Sequence, residues 1–245
     1  MKDKIILHVD ANSFYASVEC ARHPELKNLP VAVSGNPKKR NGIILAKNEI
    51  AKKCGVQTGE AIWQAKDKCP NLVCIYPDMP LYEEYSKKMH KIFEKYTHLI
   101  EGMGLDECWL DVTQTAHLFG GAENLATKIR TEIKENLGIT VSVGISFCKL
   151  FAKLGSDLKK PDAQTVISRQ NFKEIVYPLP IESIIGIGHR SAKKLHKMNV
   201  FTLGDFLEVP AYILKNNFSV VFYELRKKLL GFDSDEIASI YAPTP

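Results

Sequence analysis

The order of strand-like and helix-like stretches is the tightest constraint on what this 245-residue chain can fold into. KIILHVD (4–10) is a β-rich apolar run ending on an acid, and strand-like runs return in EGMGLDECWLDV (101–112) and in TVSVGIS (140–146), which alternates at period two. Helical spacing marks MPLYEEYSKKMHKIFEKYTHL (79–99), through Leu81, Tyr85, Met89, Ile92, Phe93 and Tyr96, and also GGAENLATKIRTEIKENLG (120–138). With residues 14–78 set aside, the order is strand, helix, strand, strand, helix, strand. That is a ferredoxin-like βαββαβ pattern, and it predicts that Asp10 and the 101–112 hairpin occupy neighbouring strands.

The stretch set aside has its own texture. ANSFYASVECAR (11–22) is helical, PVAVSG (30–35) and GIILAK (42–47) read as short strands, and NEIAKKCG (48–55) and GEAIWQAKDKC (59–69) read as helices. Between the strands, NPKKRN carries Lys38, Lys39 and Arg40 and reads as a basic, solvent-facing loop. From about 170 onward, 181–200, 201–209 and 211–231 read as helical segments of a separate all-α module. The expected class is therefore α+β: a βαββαβ unit, an inserted small domain and a helical module.

Composition excludes little but agrees. A hydrophobic content of 45% supports packed cores, and a formal charge of +5 permits a nucleic-acid partner without requiring one. The six cysteines include no CxxC pair and read as reduced, buried thiols. The N-terminal apolar run is too short for a signal peptide or a membrane span, so a cytoplasmic protein with no membrane partner is expected.

GLDECWLDV (104–112) places Asp106 and Glu107 side by side, where their charges repel. In a regular strand adjacent side chains point to opposite faces, so both serve one site only if a turn breaks the alternation; Gly102 and Gly104 offer that break. Two readings stay open on the residues alone: a solvated surface pair, or a cluster with Asp10 that binds a hard cation such as Mg²⁺. Asp111 is expected to act as a structural hydrogen-bonding group. Basic residues gather in GISFCKLFAKLGSDLKKP (144–161) and in IGIGHRSAKKLHK (185–197 with the preceding Ile184), where Gly186 and Gly188 open a helix carrying Arg190 and Lys193. Glycines before a helix start let backbone N–H groups approach phosphate, the helix-hairpin-helix form of DNA-backbone contact.

In this order and spacing, HVDANSFYASVE, LDECWLDVT, VGISFCKLFAKLGSDLKKP and the GIG-containing module resemble the Y-family translesion DNA polymerases, of the DNA polymerase IV type. The resemblance implies a palm (1–13 and 79–168), fingers (14–78) and a helix-hairpin-helix thumb (169–245), with the little finger and any clamp-binding tail absent. It implies two Mg²⁺ ions on Asp10, Asp106 and Glu107, the carbonyl of Ala11 adding a ligand. Tyr15 matches the steric gate against a ribose 2′-OH; Phe14, Lys52 and Lys160 match nucleotide contacts; Ile43 and Leu45 fall over the nascent base pair; Gly186, Gly188, Arg190 and Lys193 would hold DNA. Implied partners are primer-template DNA, a dNTP and, for a full-length protein, a sliding clamp; the implied role is in DNA repair and damage tolerance.

The chain departs from the family's Tyr-Glu-Ala-Arg segment with Glu49, Ile50, Ala51 and Lys52, and from other usual residues at Gly104, Cys108, Trp109 and Cys148. Lysine keeps the charge of the arginine and loses its bidentate fork. Two alternatives stand beside the polymerase: a DNA-binding protein of the same fold with weakened catalysis, and a palm-fold nucleotide cyclase.

Overall fold

The computed structural model describes residues 4–36, 42–218, 220–232 and 235–237; the basic loop residues Lys38, Lys39 and Arg40 lie outside the described residues. In chain order the elements are β1 (Ile6–Ala11), α1 (Phe14–Arg22), β2 (Val31–Ser34), β3 (Ile44–Lys47), α2 (Glu49–Lys53), α3 (Ile62–Lys68), β4 (Val73–Ile75), α4 (Met79–Phe93), β5 (Ile100–Met103) and β6 (Glu107–Asp111). They continue with α5 (Ala122–Leu137), β7 (Val141–Ser146), α6 (Lys149–Leu158), β8 (Gln164–Ile167), α7 (Phe172–Val176), α8 (His189–His196), α9 (Leu203–Glu208), α10 (Ala211–Asn217) and α11 (Val220–Leu229).

The large sheet runs β5-β6-β1-β7-β8. Its first four strands are antiparallel and carry the expected βαββαβ connectivity, with β1 in the middle between β6 and β7. β1 and β7 are buried along their whole length because helices cover both faces. One face packs Leu7, Val9, Leu110 and Val143 against Phe14, Tyr82, Met89, Ile129 and Ile133, so α1, α4 and α5 share one core. The other face is covered by α6.

β8 was not anticipated from sequence; it adds to β7 in parallel after the crossover through α6. A second sheet, β3-β2-β4, holds a small core of Ala32, Ile44, Ala51, Val56, Ile62 and Leu72. Its strand β4 was also missed, since VCI is too short to show a period. The C-terminal helices enclose a third core, with Phe151 and Phe172 stacked at its junction with α6.

Three expectations need correction. The 79–99 helix ends at Phe93, and the 211–231 segment divides into α10 and α11. Not all the thiols are buried: all six are free, but Cys54, which caps the surface end of α2, is exposed, and Cys20 on α1 and Cys74 on the short strand β4 are half-buried. Asp111 is structural as expected, its Oδ1 accepting from the Thr113 backbone N–H at 2.9 Å and from the Thr113 hydroxyl. Among the described residues no helix is long and apolar enough to cross a membrane.

Candidate active site

Alternation along β1 sends Leu7, Val9 and Ala11 into the large core and leaves Ile6, His8 and Asp10 on the α6 face. The antiparallel register of β6 sets Glu107 opposite Asp10 and Trp109 opposite His8. Cross-strand partners share a face, so Asp10 and Glu107 emerge together. Asp106 precedes β6, in the turn after β5. There Gly104 adopts φ +72°, a left-handed conformation suited to glycine, and the Ala11 N–H donates to the Asp106 carbonyl at 3.0 Å. The turn is thereby tied to the end of β1, and all three carboxylates line one cleft of about 370 Å³.

α6 brings the countercharge. Lys153 Nζ lies 3.0 Å from Asp10 Oδ2 and 3.0 Å from Glu107 Oε2, while Lys160 Nζ lies 2.7 Å from the same Asp10 oxygen and 2.9 Å from Asp157 Oδ1. The close approach of α6 requires Gly144, which faces His8 across the β1–β7 pair. A Cβ added there would stand 1.8 Å from the Ala152 carbonyl oxygen and 2.5 Å from the Ser156 nitrogen. The fully buried His8 ring sits behind the acids: Nδ1 is 2.9 Å from Ser156 Oγ, Nε2 is 3.3 Å from Glu107 Oε2, and the ring meets Trp109 edge-on.

The electrostatics divide the acids. Burial, then the charges of Asp10 and Glu107, push the Asp106 carboxyl up to about 6. Asp106 forms no ion pair among the described residues, and the charge of Lys160 offsets its repulsion only in part. Burial opposes ionisation of Glu107 too, but hydrogen bonding and charge from His8 and Lys153 outweigh it and hold Glu107 below the usual carboxylate range. Burial would likewise depress Lys153 and Lys160; Asp10 beside them raises both. Burial also lowers His8, which favours the neutral ring.

These residues fit a divalent cation. Three hard carboxylate donors converge, two ammonium groups already supply positive charge at Asp10, and among the described residues Asp106 has no ion-pair partner. His8, Asp10 and Glu107 also bring ligand-type atoms within 4.8 Å of one another.

The wall of the cleft is aromatic. Tyr15 stacks on the buried Tyr82 with centroids 4.4 Å apart, and Tyr82 is held by its hydroxyl donating to Glu19 Oε1 at 2.6 Å. Of the expected site residues, Asp10, Ala11, Phe14, Tyr15, Leu45, Asp106, Glu107 and Lys160 line the cleft. Lys52 and Ile43 do not. Lys52 pairs with Glu49 at 3.6 Å on α2, and Ile43 is an exposed residue bridged to Ala61.

Gly186, with φ +99°, and Gly188 lead into α8, where Arg190 and Lys193 are exposed while Ala192 and Leu195 are buried. They stand apart from the cleft on the helical unit. Sequence reasoning missed His8, Lys47 and Thr58 and treated Lys153 only as part of a basic helix face. His8 was findable, because it lies two positions before Asp10 on the same strand face. The others depend on packing between separate elements.

The fold is that of the Y-family DNA polymerases. The structure titled "Crystal Structure of DinB from Sulfolobus solfataricus" matches with a TM-score of 0.86 at 30% identity, over 96% of this chain and 69% of that one. The "Insertion ternary complex of Dbh DNA polymerase" matches with a TM-score of 0.87 at 30% identity, over 95% of this chain and 69% of that one. The chain belongs to the impB/mucB/samB family, whose model matches residues 9–157, and the IMS family HHH motif matches residues 169–200. Among curated proteins, DNA polymerase IV of Acetivibrio thermocellus is 49% identical over 235 residues, covering 96% of this chain and 59% of the relative. DNA polymerase IV of Bacillus velezensis is 37% identical over 236 residues, covering 96% of this chain and 57% of the relative. The chain thus spans less than two thirds of the length of these two relatives.

Proposed function

We propose that the chain carries out template-directed DNA synthesis of the translesion type, joining a dNTP to a primer 3′-OH in damage tolerance and repair. The observation that supports this most is the convergence of Asp10, Asp106 and Glu107 on one cleft whose wall is Tyr15. In this reading the large sheet unit is the palm, residues 14–78 are the fingers, and residues 169–245 are the thumb. The relative solved as an insertion ternary complex supports DNA and nucleotide as partners. A sliding clamp is proposed for a full-length protein, and the cytoplasm as its location.

Two Mg²⁺ ions, held by Asp10, Asp106, Glu107 and the Ala11 carbonyl, would supply activation of the 3′-hydroxyl and neutralisation of the leaving pyrophosphate. The chain's own groups do the positioning. The first N–H groups of α1, at Phe14 and Tyr15, have no acceptor within the helix and suit phosphate oxygens. Lys160 offers its ammonium to the same phosphates once Asp10 is otherwise neutralised. Leu45 contacts the base pair from the fingers side. On the thumb, the backbone at Gly186 and Gly188 with Arg190 and Lys193 grips duplex phosphates independently of sequence.

Primer extension on a primed template tests the reading: this chain extends in Mg²⁺ and stops when EDTA removes the ion, whereas DNA binding without extension favours the catalytically weakened alternative. Tyr15 has its own test. Because Tyr82 backs its ring, Tyr15 is a rigid wall, and Tyr15→Ala is expected to lower discrimination against ribonucleotides roughly 10-fold or more in kcat/KM. Unchanged sugar selectivity removes Tyr15 from the gate.

A further inference from the structure

Lys47 is a cation of the cleft to which the mechanism above gives no role. Lys47, half-buried at the end of β3, lines the same cleft as the three carboxylates. Its ammonium donates to the Thr58 hydroxyl at 3.0 Å, and among the described residues it enters no ion pair. The other two lysines of the cleft are committed, Lys153 to Asp10, Glu107 and Asp157, and Lys160 to Asp10 and Asp157. Glu60, the acid nearest in effect to Lys47, is itself held by Lys68 and by the Gln57 backbone N–H. Lys47 is therefore the cleft lysine that enters no ion pair among the described residues, its charge interaction with an acid being the weaker one with Glu60.

An anion entering this cleft meets Asp10, Asp106, Glu107 and Asp157 as well as the lysines, so it needs positive charge not already spent on acids. Lys52 is turned away from it in this structure: its side chain is 54% exposed, pairs with Glu49 and lies outside the cleft lining. We propose that Lys47, anchored by Thr58, is the fingers-side contact for the phosphate chain of the incoming nucleotide and takes the part that the family resemblance gives to Lys52. The chemistry suits it. An ammonium has three donors, of which Thr58 takes one, and a lysine is a mobile point charge that meets a flexible polyphosphate without requiring a fixed planar geometry.

This inference rests on reading the cleft as a nucleotide site, and the experiment separates the two. A fluorescent dATP analogue is titrated into the 245-residue chain in Mg²⁺ and competed with inorganic tripolyphosphate, which isolates the phosphate contact. Lys47→Ala is expected to weaken tripolyphosphate competition roughly 10-fold or more, the scale of a lost charge-assisted hydrogen bond. Lys47→Arg should recover part of it, Thr58→Val should lose an intermediate amount, and Lys52→Ala should lose less than Lys47→Ala. In primer extension the same defect appears as a raised KM for dNTP with kcat largely kept. Unchanged competition in Lys47→Ala and Thr58→Val, or a larger loss in Lys52→Ala, overturns the assignment. A chain that binds the analogue yet extends no primer defeats the polymerase reading and leaves Lys47 to be decided by the competition series; a chain that binds neither ligand defeats both.

Discussion

Asp106→Asn is expected to lower Mg²⁺-dependent primer extension by about 10³-fold or more, because a ligand that supports several kcal/mol of transition-state charge stabilisation is lost. The same change is expected to stabilise the metal-free fold. Burial and the neighbouring charges of Asp10 and Glu107 raise the folded-state carboxyl to about 6, against an ordinary value of 3.8. With the folded pKa above the unfolded one, the folded state binds the extra proton, so stability falls as pH rises from 3.8 through about 6 and stays reduced above that. Asparagine carries no charge and escapes this penalty. After allowance for partial solvent access, the gain at pH ~8 in EDTA is about 1–2 kcal/mol, and it disappears near pH ~4. Urea unfolding at the two pH values measures it. Added Mg²⁺ should then stabilise the wild-type chain more than the variant. Equal or lower stability of Asp106→Asn at the higher pH would show that the acids do not repel one another in the folded protein.

Gly144→Ala is expected to cost ~3 kcal/mol or more, at the upper end of what overpacking a buried site does. The new Cβ would stand 1.8 Å from the Ala152 carbonyl oxygen, 2.5 Å from the Ser156 nitrogen and 2.9 Å from the Ala152 carbonyl carbon. These are backbone atoms, and no rotamer change relieves the contact. β7 cannot withdraw either, since it is paired to β1 on one side and β8 on the other. α6 must lift from the sheet. Lifting it separates Lys153 from Asp10 and Glu107 and Ser156 from His8, so the defect reaches the site from a residue that touches none of its acids. Thermal or urea unfolding reads the stability loss, and primer extension should fall with it. A variant as stable as the wild type would mean that α6 does not depend on this close approach.

The parts of the site legible in the sequence were those carried by local pattern. The continuous β-rich apolar run 4–10 placed Asp10 at the end of a buried strand, and the βαββαβ order placed that strand beside the hairpin. Gly104 signalled the turn that turns Asp106 and Glu107 toward one cleft. His8 carried the same kind of signal, on the strand face of Asp10, and was overlooked because an isolated histidine in an apolar run reads first as core. β8 and β4 escaped because each is short and is made a strand by the neighbour it pairs with.

The lysines show the boundary. From spacing alone, Lys149, Lys153, Lys159 and Lys160 form one basic cluster, and by resemblance Lys52 and Lys160 are nucleotide contacts. In the folded chain Lys153 and Lys160 engage Asp10, Lys52 turns to Glu49, and Lys47 lines the cleft. The sequence by itself determined the order of strands and helices, the adjacency of the Asp10 strand and the hairpin, and the turn beside Asp106, because each follows from local pattern and connectivity. Only the tertiary structure decided which cations meet those acids, because that depends on how closely α6 packs over Gly144 and where the small sheet sets Lys47, separations that no single element encodes.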